Sequence, residues 1–184
     1  GVGAAGAAAR GLGLLLLAGG LHGAIVSRSA RAAELRGVIV LRDRDGSDPG
    51  VVHAVVSYVP AARVPVRPLS AEIVTRNKRF LPRVLPVTVG STVRFPNEDP
   101  ILHNVFSVSA ARRFNLGLFG RGPGGTVTFG RPGLVRLYCN VHQSMAAYVL
   151  VLETPFFASP DARGAFTLKG LPAWGTAGST DHAN

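Results

Sequence analysis

Two patterns of apolar residues divide the chain. Residues 11–26 form one uncharged apolar run, with Arg10 before it and Arg28 and Arg31 after it. From Leu35 onward the apolar residues come in short Val-rich bursts between Gly, Pro and Asp clusters. Residues 37–41 read as a strand, 43–50 as a dense turn and 51–59 as a returning strand, which predicts a hairpin. Residues 61–70 read as a proline-containing connector. Residues 71–75 follow as a strand, then the basic cluster Arg76-Asn77-Lys78-Arg79, then two β-rich runs, 87–89 and 92–95, joined by a Gly90-Ser91 turn. Further strands are expected at 103–108, 126–129, 133–138 and 147–152, with a polar, glycine-rich stretch running through Gly125 between the first two. A turn at 161–164 leads into a last strand at 165–168, and 175–184 reads as a frayed tail. No segment after residue 35 carries a helical period, so the chain is expected to be all-β, a sandwich or a barrel.

The amino-terminal run is shorter than the roughly 20 residues a spanning helix needs, and Ala30-Arg31-Ala32 offers small residues where a signal peptidase reads. Residues 1–32 are therefore expected to be a secretory leader cleaved before Ala33, with a periplasmic mature form that has no membrane span. An uncleaved amino-terminal anchor is the other reading. The pattern Gly1-Val2-Gly3-Ala4-Ala5-Gly6 matches GxGxxG, but no strand precedes it, so it carries no dinucleotide site. The remaining chain divides into a flanking hairpin and connector (33–70), a central domain (71–153) and a flanking strand with tail (154–184).

With 184 residues, 47% hydrophobic and 16% charged, the chain can bury a core of one or two domains. Its 20 Lys+Arg against 10 Asp+Glu give +10, which falls to +7 when Arg10, Arg28 and Arg31 leave with the leader. Such a charge suits nucleic acid, an anionic membrane or an acidic partner. Export and the lack of an aromatic-basic RNA motif argue against nucleic acid. Arg76, Lys78, Arg79, Arg112, Arg113 and Arg121 are candidates to guide an acidic partner, although a merely solvated basic face is at least as good a reading.

One cysteine excludes an intramolecular disulfide, a multi-thiolate zinc site and an iron-sulfur cluster. It does not exclude one mixed-ligand site. The segment Cys139-Asn140-Val141-His142-Gln143-Ser144-Met145 holds the single Cys and the single Met within seven residues, bracketing a His at a strand-loop-strand junction, and His103 opens another strand. Singly, each of these residues fits an ordinary core role. Jointly, a thiolate, two imidazoles and a thioether form the soft donor set of a type 1 copper site. His103, Cys139, His142 and Met145 are the expected ligands of one copper ion cycling between Cu(II) and Cu(I). His142, on the short loop, is the expected electron port.

These residues resemble the cupredoxin family. The short Cys-x2-His-x2-Met loop is similar to that of the amicyanins and shorter than that of the plastocyanins. The resemblance is fullest to plastocyanin-like proteins named for methylamine utilization, and covers roughly residues 35–174. It rests on Val93-Arg94-Phe95-Pro96-Asn97-Glu98-Asp99, His103-Asn104-Val105-Phe106-Ser107, Phe114-Asn115-Leu116-Gly117, residues 129–135 with Pro132-Gly133, and the Cys139 loop. It implies a Greek-key sandwich, and gives Asn104 the task of tying the two ligand loops together. Val141 stands where amicyanins and plastocyanins carry a Pro, so its N–H is free to donate to the Cys139 sulfur. Leu102, Phe106, Val141 and Ala146 are expected to surround the site with apolar groups. Residues 37–40 and 161–172 resemble strands of the small carboxypeptidase-regulatory-type sandwich, with the cupredoxin segment inserted between them.

The function implied is a one-electron carrier exchanging with an acidic redox protein such as a c-type cytochrome or a quinoprotein dehydrogenase. The alternative is a copper carrier or storage protein with no redox circuit. No catalytic residues are expected: His53 and His182 are too few and too scattered for the histidine clusters of a multicopper enzyme.

Overall fold

The computed structural model describes residues 33–40 and 53–172. The predicted leader (1–32), the predicted turn at 43–50 and the predicted tail (175–184) lie outside the described residues. The described residues are all-β, and no helix among them is long and apolar enough to cross a membrane. The short leading strands are β1 (Ala33–Val38), β2 (Val56–Ser57), β3 (Ser70–Glu72), β4 (Val74–Arg76) and β5 (Arg79–Leu81). The longer strands are β6 (Val84–Thr88), β7 (Ser91–Asn97), β8 (His103–Ser109), β9 (Arg112–Phe119), β10 (Gly122–Phe129), β11 (Gly133–Tyr138) and β12 (Ala146–Leu152). The chain closes with β13 (Phe157–Ala158) and β14 (Ala165–Leu171).

Two five-stranded sheets carry the molecule. One runs β10-β7-β4-β5, with β3 also on β7; the other runs β6-β12-β11-β8-β9. The period-two pattern explains why they face each other. In β7, Ser91, Val93, Phe95 and Asn97 are buried and the residues between them are not; in β12, Ala147, Val149 and Val151 are buried. With Val127 and Phe129 from one sheet and Val105, Val135 and Leu137 from the other, these side chains form one core. Burying each large apolar side chain contributes about 1.5–3 kcal/mol. Phe114 of β9 packs on Phe95, with centroids 5.9 Å apart, and edge-on to Phe129 at 6.2 Å. Gly124 lets β10 close on β7: a Cβ there would stand 1.7 Å from the Phe95 carbonyl oxygen, and its φ of +63° also favours glycine.

Three expectations change. Among the described residues, the 37–41 and 51–59 segments do not pair with each other. β1 pairs antiparallel with β14, and β2 with β13. Gly37 permits the first pairing, because a Cβ there would lie 2.7 Å from the ring of its partner Phe166. The Gly90-Ser91 turn is a corner between sheets and not a hairpin: β6 joins β12 in parallel, while β7 crosses to the other sheet. Gly90 takes φ +86° and its N–H donates to Phe129 O at 2.8 Å, while Ser91 Oγ accepts from Leu69 N at 2.7 Å. Finally, the polar stretch before Gly125 contains a complete strand, β9, and the start of β10.

Candidate metal centre

The predicted ligands come from two neighbouring strands at one end of the second sheet. His103 is the first residue of β8, and Cys139 directly follows β11, whose last residue Tyr138 pairs with Phe106 of β8. The loop 139–145 then returns the chain to β12, and Met145 N donates to His142 O at 3.0 Å, closing that return. One ligand atom each from His103, Cys139 and His142 lies within 4.8 Å of the others. Cys139 Sγ and His103 Nδ1 are 4.0 Å apart, within the span that one ion bridges at bond lengths of about 2.0–2.3 Å. The two imidazole centroids are 4.8 Å apart. Met145 is almost wholly buried, at 1% exposure, and directly follows the loop's exposed Gln143 and Ser144.

The polar accounting around these groups fits a bound cation. His142 Nδ1 is buried and has no hydrogen-bond partner. A buried ring nitrogen left so is costly unless something else satisfies it. His103 is fully buried, and its Nε2 is 2.9 Å from Asp99 Oδ2. Asp99 is the site residue that sequence reasoning missed. Burial opposes its charge, but the N–H groups of Lys78 (2.9 Å) and Asn77 (2.7 Å), with the His103 ring, hold the carboxyl below its ordinary range. An ionised carboxylate only accepts, so His103 Nε2 is the ring nitrogen that donates to Asp99, and Nδ1 is the one that faces Cys139. This is the carboxylate-histidine arrangement that orients a metal ligand. The legible signal was an acid four residues ahead of a candidate ligand.

The turn that leads to His103 is itself braced. Asn97 Nδ2 donates to Ile101 O at 2.9 Å and Phe119 O at 3.3 Å, and Asn97 Oδ1 accepts from Asp99 N at 2.9 Å. Asn104 behaves differently from its expected part. Its Nδ2 donates to Asn115 Oδ1 at 2.8 Å and Gly117 O at 3.0 Å, both in β9, while its Oδ1 is buried without a partner. It therefore fastens the β8 ligand strand to β9 rather than to the Cys139 loop. The reason is local: Asn104 faces Leu118 in the β8–β9 ladder, where a bulge brings Asn115 and Gly117 within reach. Of the apolar surroundings, Phe106 and Ala146 are partly buried, but Leu102 and Val141 are 55% and 46% exposed and form outer surface. His142 is partly exposed.

No protein-family model matches the chain, and no curated protein matches its sequence. Among solved structures, a copper-containing nitrite reductase from Thermus scotoductus is 26% identical over 54% of this chain, with a TM-score of 0.44. This chain spans only 26% of that enzyme's length. A reduced Cu(I) amicyanin variant is 22% identical over 54% of this chain and 97% of its own, TM-score 0.43. A purple cupredoxin from Nitrosopumilus maritimus is 25% identical over 45% of this chain and 99% of its own, TM-score 0.38. In the chain itself, two five-stranded sheets face each other, with His103 opening one strand of the second sheet and the Cys139 loop leaving the strand beside it.

Proposed function

We propose that this chain is an exported type 1 copper protein that carries single electrons between redox partners in the periplasm. The observation that carries the reading is the convergence of His103, Cys139 and His142, with His142 Nδ1 buried and unpartnered in the protein. His103, Cys139 and His142 would hold the ion, and Met145, buried at the end of the same loop, supplies the weak fourth donor. When bound there, copper supplies the Cu(II)/Cu(I) couple. The chain's own residues supply constancy. Asp99 fixes one tautomer of His103, and the β8–β11 and β11–β12 ladders fix the strand ends from which both ligand segments leave. A frame that holds one geometry in both oxidation states keeps reorganisation small. Partly exposed His142 offers the route by which an electron enters and leaves.

The periplasmic assignment rests on the leader-like pattern of residues 1–32 and on the single thiol, which in an oxidising compartment is best kept occupied. Carriage rather than catalysis is supported by the histidine count: beyond the two ligands, the chain after the leader has only His53 and His182.

Adding Cu(II) to the purified protein tests the reading. An intense visible thiolate-to-copper band is expected, absent in Cys139→Ser. A colourless product from the unaltered chain overturns it.

A further inference from the structure

The cationic side chains fall into two kinds. Arg76 pairs with Glu98, Arg94 with Glu72 and Arg36 with Glu34. Lys78, Arg79 and Arg83 have no such carboxylate among the described residues. These three border a single cleft of about 490 Å³, together with His53 and with Ser144 and Met145 of the ligand loop. Among the described residues, no acidic side chain lines it. By contrast, the cleft of about 340 Å³ under the 59–66 connector sets Arg63 together with Glu153, so that its cation has a counter-charge among the lining residues.

The basic cleft is also fixed relative to the ligands. Asn77 and Lys78 take φ of 51° and 54° at the β4–β5 turn, and both of their N–H groups donate to the carboxylate that holds His103. Position thus separates cations that composition alone cannot rank. Arg112 and Arg113 pair with Ser109 and Val108, five to six residues along β8 from His103, or about 17–20 Å away. Arg76 is neutralised by Glu98. Arg121 is not among the residues that line the cleft, so Lys78 and Arg79 are the members of the set expected to steer a partner that do, and Arg83 joins them.

We infer that this cleft is the docking site for the carboxylate-bearing surface of a protein that exchanges electrons with the centre. Asp and Glu side chains of the partner pair with Lys78, Arg79 and Arg83, seating the partner against the exposed Ser144 of the ligand loop. One electron crosses, the partner being oxidised and bound copper reduced or the reverse, and no bond is made. An acidic protein is favoured over a small anion because all the cations are exposed and none is enclosed in a pocket that would grip a single ion. The electron-transfer part rests on the copper reading; the charge recognition does not.

The test therefore has a copper-free arm and a copper arm. In the first, an octaglutamate peptide is titrated into the metal-free protein and amide shifts are followed by NMR. Shifts are expected at residues 77–83 and 144–146, lost in the Lys78→Gln/Arg79→Gln/Arg83→Gln variant and retained in Arg112→Gln/Arg113→Gln. Shifts centred on 109–113, or sodium sulfate giving the same shifts at equal charge concentration, overturn the inference, the latter in favour of a small-anion site. Stronger binding of oligothymidylate than of the peptide overturns it in favour of nucleic acid. In the second arm, oxidation of the copper(I) protein by hexacyanoferrate(III) at low ionic strength should be about tenfold slower in the triple variant, while tris(phenanthroline)cobalt(III) shows no loss. Equal slowing by both oxidants overturns the docking role. A protein that takes up no copper but keeps the peptide shifts fails the copper reading alone.

Discussion

The two segments that bring the ligands together are held in opposite ways. The approach to His103 is saturated with hydrogen bonds: Asn97 braces Ile101, Phe119 and Asp99, and Asp99 ties two N–H groups of the β4–β5 turn to the His103 ring. The 139–145 loop has one internal backbone bond, from Met145 to His142, and an orphaned ring nitrogen. One half of the site is preorganised by the protein. The other half is completed by whatever the ligands bind. A rigid half sets geometry, and a lightly tied half lets the ion enter and leave.

Breaking the rigid half should have the largest effect. Asp99→Ala strands the His103 proton and two backbone donors and frees the imidazole tautomer. Copper affinity, read by competition with a chelator, is expected to fall 10- to 100-fold. The metal-free protein should lose about 2 kcal/mol in denaturant unfolding. Unchanged copper affinity would show that the two halves are equally self-sufficient. The next effect sharpens the contrast from the other side. Copper binding should raise hydrogen-exchange protection at residues 140–145 far more than at 97–103, because the latter segment is already braced through Asn97 and Asp99 while the loop has a single internal backbone bond. A smaller effect is expected from Val141→Pro: without the ion Val141 N makes no hydrogen bond to the Cys139 sulfur, whose one hydrogen-bond contact is His103 Nδ1, and the variant removes the N–H we expect to form one when copper closes the loop. At roughly 1 kcal/mol per hydrogen bond, its reduction potential should fall by about 40 mV, measured by potentiometry. Smallest of all, Gln143→Ala and Ser144→Ala lie on the exposed part of the loop and should change metal-free stability by less than about 0.5 kcal/mol.

The same contrast governs what the sequence makes legible. The loop writes its chemistry in consecutive residues, and the bounds of β11, 133–138, follow directly from its apolar pattern ending at Cys139. The rigid half is written at a distance. Asp99 acts through a turn more than twenty residues upstream, and no local pattern announces that Asn77 and Lys78 will point their N–H groups at it. β9 is hidden because Arg112, Arg113, Asn115 and Gly117 obscure the alternation of Phe114 and Leu116, whose burial is only partial on an edge strand. Pairing across sheets is hidden for a related reason. Gly90-Ser91 has the composition of a hairpin turn, and only the burial of Ser91, with its bond from Leu69 N, makes it a corner. The first strand's partner lies some 130 residues along the chain, beyond what any turn signal encodes.

That last pairing has a practical consequence. β1 and β14 run antiparallel from Ala33 opposite Leu171 to Val38 opposite Ala165, so the outer ends of both strands lie side by side. A linker or electrode tether attached just outside Ala33 or just outside Leu171 departs from the same spot on the surface. Immobilisation through either end should therefore present the same face to solution and give the same interfacial electron-transfer rate.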